Sequence, residues 1–216
     1  MKKGAIFDMD GVLFDTERVY QEMWTKITYE FGYEPDPAFH LAVAGTSGED
    51  MREIVRSFYP GIDAERFIHT CLDRTNESLE KVVPEKPGLR EILTTLHDRG
   101  VRIAVASSSY PEVIRHHLVL TDVEKYFDVV LSGYDVPRGK PAPDIFQEAA
   151  RRLGLEPSEC YVFEDSLNGV RAGADAGCAT IMVPDLVQPT EEIRLLCAGI
   201  YPTLHDALAA IETGEV

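Results

Sequence analysis

The stretch Val101-Arg102-Ile103-Ala104-Val105-Ala106-Ser107, entered from Gly100, is a short and almost continuous apolar run rich in Val and Ile. Runs of this kind suit strands covered on both faces, as in a parallel sheet. Residues 128–132 (DVVLS), 160–164 (CYVFE) and 179–183 (ATIMV) repeat the pattern, and 5–9 (AIFDM) reads as one more strand. Between them, 111–120, 143–153 and 167–176 carry helical patterns. Gly100, Gly154 and Gly177 fall where helix C-caps belong. Strand and helix in alternation predict a doubly wound, Rossmann-like parallel α/β fold.

Residues 15–84 read differently. Segments 16–31, 37–44, 49–58 and 64–83 are all helical in pattern, and Pro35, Pro37, Pro60, Gly61 and Pro84 supply the breaks. A helical block of this length is far longer than an ordinary crossover. The expected organisation is an α/β core from 1–14 and 85–216, with 15–84 as an all-helical insertion after the first strand. The crossing points near Asp15 and 84–87 are natural hinges. The tail from Pro184 is expected to finish the core, with 185–189 a loop to which no function is given.

The chain has 216 residues, 44% of them apolar and 27% charged, an ordinary globular composition. Its 21 Lys and Arg against 37 Asp and Glu give a formal charge of −16. That field argues against nucleic acid and anionic membranes as partners. No stretch approaches a membrane span, and Asp8 and Asp10 cut short any resemblance to a signal peptide. Cys71, Cys160, Cys178 and Cys197 form no C-x-x-C pair. A reduced, cytoplasmic location and a monomer are expected.

The chemistry-bearing residues fall mostly at the C-terminal ends of the expected strands, where open α/β sheets bind ligands. Asp8-Met9-Asp10-Gly11 places two carboxylates at one strand end, though acids are also common in such loops. Ser107-Ser108-Ser109 could grip an oxyanion beside the helix starting near Pro111; it also suits a plain N-cap loop. Lys140 stands before Pro141 and Pro143, which fix its backbone. Glu164-Asp165-Ser166 sets two acids together, which a hard cation such as magnesium would relieve; an N-cap for the helix from 167 is equally consistent.

Together and in this order, FDMDGVLFDTE, AVASSS, GKPAPDIF and FEDSLNGV resemble the four motifs of the haloacid dehalogenase superfamily. The resemblance spans essentially the whole chain, including a helical cap after the first motif, and it is greatest to the subgroup of β-phosphoglucomutase and small phosphatases. It implies Asp8 as nucleophile, forming an aspartyl phosphate, and Asp10 as general acid and base. It implies Mg2+ held by Asp8, the Asp10 carbonyl and Asp165, with Glu164 also involved. Lys140, Ser107 and the Ser108 N–H would hold the phosphate. Separately, Glu17 at the hinge is expected to reach the site on closure, and the loop with Gly45 and Thr46 to face the substrate, a small phosphorylated metabolite, although a plain connection between two helices suits that loop equally. Asp10 argues for phosphoryl transfer, because the family's dehalogenases lack an acid there.

The same resemblance bears on hydrolase against mutase. The mutases' cap His and Arg positions are matched here by Tyr20 and Gly48. This favours a phosphatase acting on a phosphomonoester, with a sugar phosphate as the expected substrate. The alternative is a phosphosugar mutase, and a non-catalytic scaffold is disfavoured by the intact set of residues. Of the other side chains, Arg18 and Arg74 are expected at the surface, as is the pair His116-His117; Trp24, Tyr29 and Phe31 are expected to pack the helical domain, and Cys178 the core.

Overall fold

Six parallel strands form one sheet in the order β3-β2-β1-β4-β5-β6. The structure is a computed structural model describing residues 1–43 and 48–216. The chain runs β1 (Gly4–Phe7), α1 (Thr16–Glu30), α2 (Pro37–Val43), α3 (Gly48–Phe58), α4 (Ala64–Leu79), α5 (Leu89–Asp98), β2 (Arg102–Ser107), α6 (Pro111–Leu120) and β3 (Val129–Ser132). It continues through α7 (Asp144–Leu153), β4 (Cys160–Glu164), α8 (Leu167–Ala176), β5 (Ala179–Met182), α9 (Glu191–Leu196), β6 (Gly199–Ile200) and α10 (Leu204–Thr213).

Alternation along the buried strands builds two cores. Ala5, Phe7, Ile103, Val105, Tyr161 and Phe163 face α5, α6 and α10 through Leu89, Ile92, Ile114, Leu118 and Leu208. Ile6, Ala104, Ala106 and Val162 face α7 and α8 through Phe146, Ala149, Ala150 and Ala172. Side chains of successive strand residues point to opposite faces, so a strand covered on both must be apolar throughout. Phe7 and Phe163 stack across β1 and β4 with centroids 4.4 Å apart. This gives the next residues along both strands a rigid floor.

The chain divides into two compact units, Met1–Asp15 with Val83–Val216, and Thr16–Val82. The second has its own core of Trp24, Ile27, Phe39, Val55, Tyr59 and Phe67, with Tyr20 and Phe31 packed against it. In the first unit, the segments leading to and from the helical one are tied together. Asp15 donates its N–H to the Pro84 carbonyl (2.9 Å), Lys86 donates to the Leu13 carbonyl (2.9 Å), and Phe14 pairs with Glu85.

Several local expectations change. The strand expected over 5–9 ends at Phe7, which frees Asp8 and the following turn for the site. The helix expected over 64–83 stops at Leu79. Helices α5, α9 and α10 go beyond what the sequence patterns singled out. Tyr29, expected to pack the helical domain, is 57% exposed. His117, expected at the surface beside His116, is buried edge-on against Phe14. It occupies the inward face of α6 one turn after Ile114 and beside Leu118, so the helical period carries it into the core.

Candidate active site

Strand register brings the first-unit residues together. Phe7 pairs with Val105 on β2 and with Phe163 on β4. The next residue, Asp8, donates its N–H to the Phe163 carbonyl (3.0 Å) and so lies level with Glu164. β1 is flanked by β2 on one side and β4 on the other. This is where the order of a doubly wound sheet reverses and a crevice opens at the C-terminal strand ends.

Lys140 is the hub. Its ammonium binds Asp8 Oδ1, Glu164 Oε1 (2.6 Å) and the Ala106 carbonyl (3.3 Å), and lies 4.9 Å from the centre of the Phe146 ring. All three charged side chains are nearly inaccessible, at 8% exposure or less for Lys140 and Glu164 and 9% for Asp8. Burial works to lower the Lys140 pKa, but Asp8 and Glu164 outweigh it and the net shift is upward. The lysine is therefore a fixed positive charge.

Glu164 has both oxygens engaged. Oε1 takes Lys140, and Oε2 accepts from the Asp165 N–H (3.0 Å), the Ser166 N–H (3.0 Å) and the Ser166 hydroxyl (2.9 Å). Its carboxylate lies where a side chain on Gly169 would stand, so the first turn of α8 can pass only as glycine. Ser166 is the N-cap of α8, accepting from the Gly169 N–H at 3.0 Å. The cap that the sequence offered as an alternative to a cation site is real, but it belongs to Ser166 and leaves Asp165 available.

Asp10 receives two hydroxyls. Ser109 donates to Oδ2 at 2.8 Å and Ser107 at 3.4 Å, while the Ser109 N–H donates to the Ser107 oxygen at 3.0 Å. Ser132 at the end of β3 donates to the Ser109 carbonyl (2.7 Å) and anchors the serine loop. Ser109 is a site residue that the sequence reading left unassigned, although it lies within the quoted serine run. Ser108 is exposed beside it.

The carboxylates outnumber the cations here. Among the described residues, Lys140 is the one cation paired within the group of Asp8, Asp10, Glu164 and Asp165. Burial, with the charges of Glu164 and Asp10 and despite Lys140, raises Asp8 from 3.8 to about 7. Burial, with Glu164 and Asp8, pushes Asp165 well above the usual carboxylate range. One-sided charge in a buried crevice suits a hard divalent cation or proton uptake. Among the described residues no set of three His, Cys, Asp or Glu side chains could hold an ion by itself. A cation here would draw on a backbone carbonyl or its own water as well, as magnesium does.

Of the remaining expected site residues, Glu17 is half-buried in the first turn of α1, in the helical unit. Gly45 and Thr46 lie outside the described residues.

The model of haloacid dehalogenase-like hydrolases matches residues 5–183. The chain belongs to that family. It is 30% identical to the phosphorylated carbohydrates phosphatase of Thermotoga maritima over 99% of this chain and 92% of that protein. It is 28% identical to hexitol phosphatase B of Escherichia coli strain K12, over 83% and 82% of the two. A crystal structure of a family hydrolase from Deinococcus radiodurans R1, with phosphate and sodium bound, superposes with a TM-score of 0.86 at 25% identity, covering 99% and 96%. Enzymes of the family generally use Mg2+, and the charge-rich donor set of Asp8 and Asp165 beside the Asp10 turn fits such an ion. Among the described residues no helix is long and apolar enough to cross a membrane.

Proposed function

We propose that this chain, a phosphoric monoester hydrolase of the haloacid dehalogenase-like family, hydrolyses a small phosphorylated carbohydrate through an aspartyl phosphate. The observation that carries the reading is Lys140, buried between Asp8 and Glu164 at the sheet's switch point. Its placement makes Asp8 an oriented carboxylate beside a permanent positive charge.

Asp8 attacks phosphorus, forming a carboxylate–phosphorus bond as the bond to the leaving oxygen breaks. Lys140 holds Asp8 by one oxygen, which leaves the other for the attack, and offsets charge on the incoming phosphate. Asp10, oriented by Ser109 and Ser107, gives its proton to the leaving alkoxide. It then takes a proton from the water that attacks the aspartyl phosphate, which frees phosphate and restores Asp8. Ser107, with the Ser108 N–H, holds the phosphoryl oxygens. Asp8, the Asp10 carbonyl and Asp165 would hold Mg2+, which would supply charge neutralisation at the phosphate. Glu164, whose oxygens are taken by Lys140 and the start of α8, serves chiefly to fix Lys140 and the loop carrying Asp165.

The test is product analysis with Mg2+, offering hexose, pentose and polyol phosphates and, separately, β-glucose 1-phosphate with a trace of glucose 1,6-bisphosphate. Free phosphate released by the wild type and abolished in Asp8→Asn supports the reading. Rapid glucose 6-phosphate with little free phosphate would replace it with the mutase.

A further inference from the structure

The loop that the sequence left without a role carries a further, largely buried acid just beyond β5. β5 pairs with β4 so that Met182 lies beside Glu164, and Val183 donates its N–H to the Glu164 carbonyl at 2.7 Å. Two residues on stands Asp185, whose charge adds a last, small contribution to the burial and the Glu164 and Asp8 charges that raise Asp165.

Asp185 is held by one oxygen only. Lys86 donates to Oδ1 at 2.8 Å, and both side chains are about 15% exposed. Lys86 is itself fixed, its N–H bonded to the Leu13 carbonyl (2.9 Å) and its ammonium 3.8 Å from Asp15. Asp185 Oδ2 is buried and accepts no hydrogen bond from the described residues. A buried carboxylate oxygen without a donor is costly.

We propose that Asp185 is a positioning residue of the cation site, its Oδ2 accepting hydrogen bonds from the hydration shell of a magnesium ion held by Asp8 and Asp165, with Lys86 fixing its orientation. The inference rests on the magnesium-dependent reading above. Magnesium gives up its water reluctantly and retains several molecules in protein sites. Those waters are strong donors, and an acceptor in the next layer fixes them. Asp185 has the required chemistry: a carboxyl group with one oxygen anchored on Lys86 and the other buried without a donor among the described residues.

The experiment is calorimetric titration of MgCl2 into the metal-free full chain, for the wild type, Asp185→Asn and Asp185→Ala, with thermal unfolding of each with and without Mg2+. Asn keeps a carbonyl for Lys86 but turns an amide donor toward the waters, so both variants are expected to bind Mg2+ about 10- to 100-fold more weakly. Unfolding of metal-free Asp185→Asn is expected to match the wild type, with the loss confined to the stabilisation added by Mg2+. Asp185→Asn binding Mg2+ within twofold of the wild type would overturn the inference while leaving the proposed activity intact. A wild type that binds no Mg2+ would overturn both. If Asp185→Ala does not fold, Asp185→Asn decides alone.

Discussion

The carboxylate of Asp165 rests against Gly11, occupying the space that a side chain at residue 11 would need. Gly11 also has φ +83°, in the left-handed region that only glycine enters without strain. The two facts have one cause. The chain must turn sharply after Asp10 to leave the sheet, and Asp165 must come close to that turn to share a site with Asp8.

Gly11→Ala should therefore fold with a stability loss of about 1–2 kcal/mol from the left-handed backbone, and lose far more activity than stability. Displacing Asp165 should raise the Mg2+ concentration needed for half-maximal turnover by at least tenfold. Urea unfolding beside a Mg2+ titration of phosphatase activity checks both. A variant with wild-type Mg2+ dependence would remove the Gly11–Asp165 contact from the account of the site.

Lys140→Met leaves two buried carboxylates without their cation. Breaking a buried pair by removing one partner costs about 3–5 kcal/mol, and here one lysine serves both Asp8 and Glu164. Denaturant unfolding of the metal-free protein should show a loss of that size, partly restored by Mg2+. Turnover should fall by about 10²–10³, the scale of losing one charge-stabilising donor. Lys140→Arg should recover stability better than turnover, because a planar guanidinium cannot occupy the ammonium's place between Asp8, Glu164 and the Ala106 carbonyl.

How much of this was legible in the sequence depends on distance along the chain. Asp8, Asp10, Ser107, Glu164 and Asp165 could be picked out because each stands at a strand end, and strand ends gather on one side of a parallel sheet; Lys140, well beyond β3, was picked out by Pro141 and Pro143. The Lys86–Asp185 pair could not, since its members are 99 residues apart and neither stands in a motif. Lys86 lies in the segment paired with Leu13, and Asp185 beyond β5, so only the three-dimensional register joins them. His117 failed for the opposite reason. Its neighbours His116 and Arg115 made the stretch look polar, whereas the period set by Ile114 and Leu118 had already chosen the face.

Asp8 at about 7 in the metal-free enzyme gives Mg2+ binding a pH dependence with a definite sign. Burial raises this carboxyl, so below pH 7 it holds a proton that the cation must displace. The apparent Mg2+ affinity should fall as pH drops, by about tenfold per unit for each of the raised carboxyls, Asp8 and Asp165, that must give up a proton. Folding should respond the other way. The protonated carboxyl contributes stability that is fully present below its unfolded value near 3.8 and is lost as pH rises through about 7. Metal-free thermal unfolding should thus weaken from pH 5 to 8 relative to Asp8→Asn, and Mg2+ should remove the difference. Affinity independent of pH between 6 and 8 would contradict the buried, half-compensated state of Asp8.

Asp10→Asn should cost about 10²–10⁴ in turnover of a sugar phosphate, the range for losing a positioned general acid. With an aryl phosphate, whose leaving oxygen needs no proton, formation of the phosphoenzyme should be nearly spared. Its hydrolysis should remain slow, because the same carboxylate activates the water. Rapid quench should then show a burst of phenol equal to the enzyme present, followed by a slow steady state. Equal loss on both substrates, without a burst, would assign Asp10 to the metal alone.

The two hydroxyls on Asp10 are not equivalent, and their distances rank them. Ser109 donates at 2.8 Å and Ser107 at 3.4 Å. Ser107 also accepts from the Ser109 N–H, which ties it to the loop rather than to Asp10. Ser109→Ala should therefore lower kcat about tenfold with little change in KM, since each 1.36 kcal/mol of lost transition-state interaction is tenfold in rate and hydrogen bonds to charged groups contribute about that much. Ser107→Ala should act mainly on KM, through the phosphate. Because Ser109 reaches substrate only through Asp10, its loss should vanish in an Asp10→Asn background, while the loss from Ser107→Ala should persist there. Steady-state kinetics on the three single variants and the two double mutants separates these roles, and additive effects for Ser109 and Asp10 would refute the coupling.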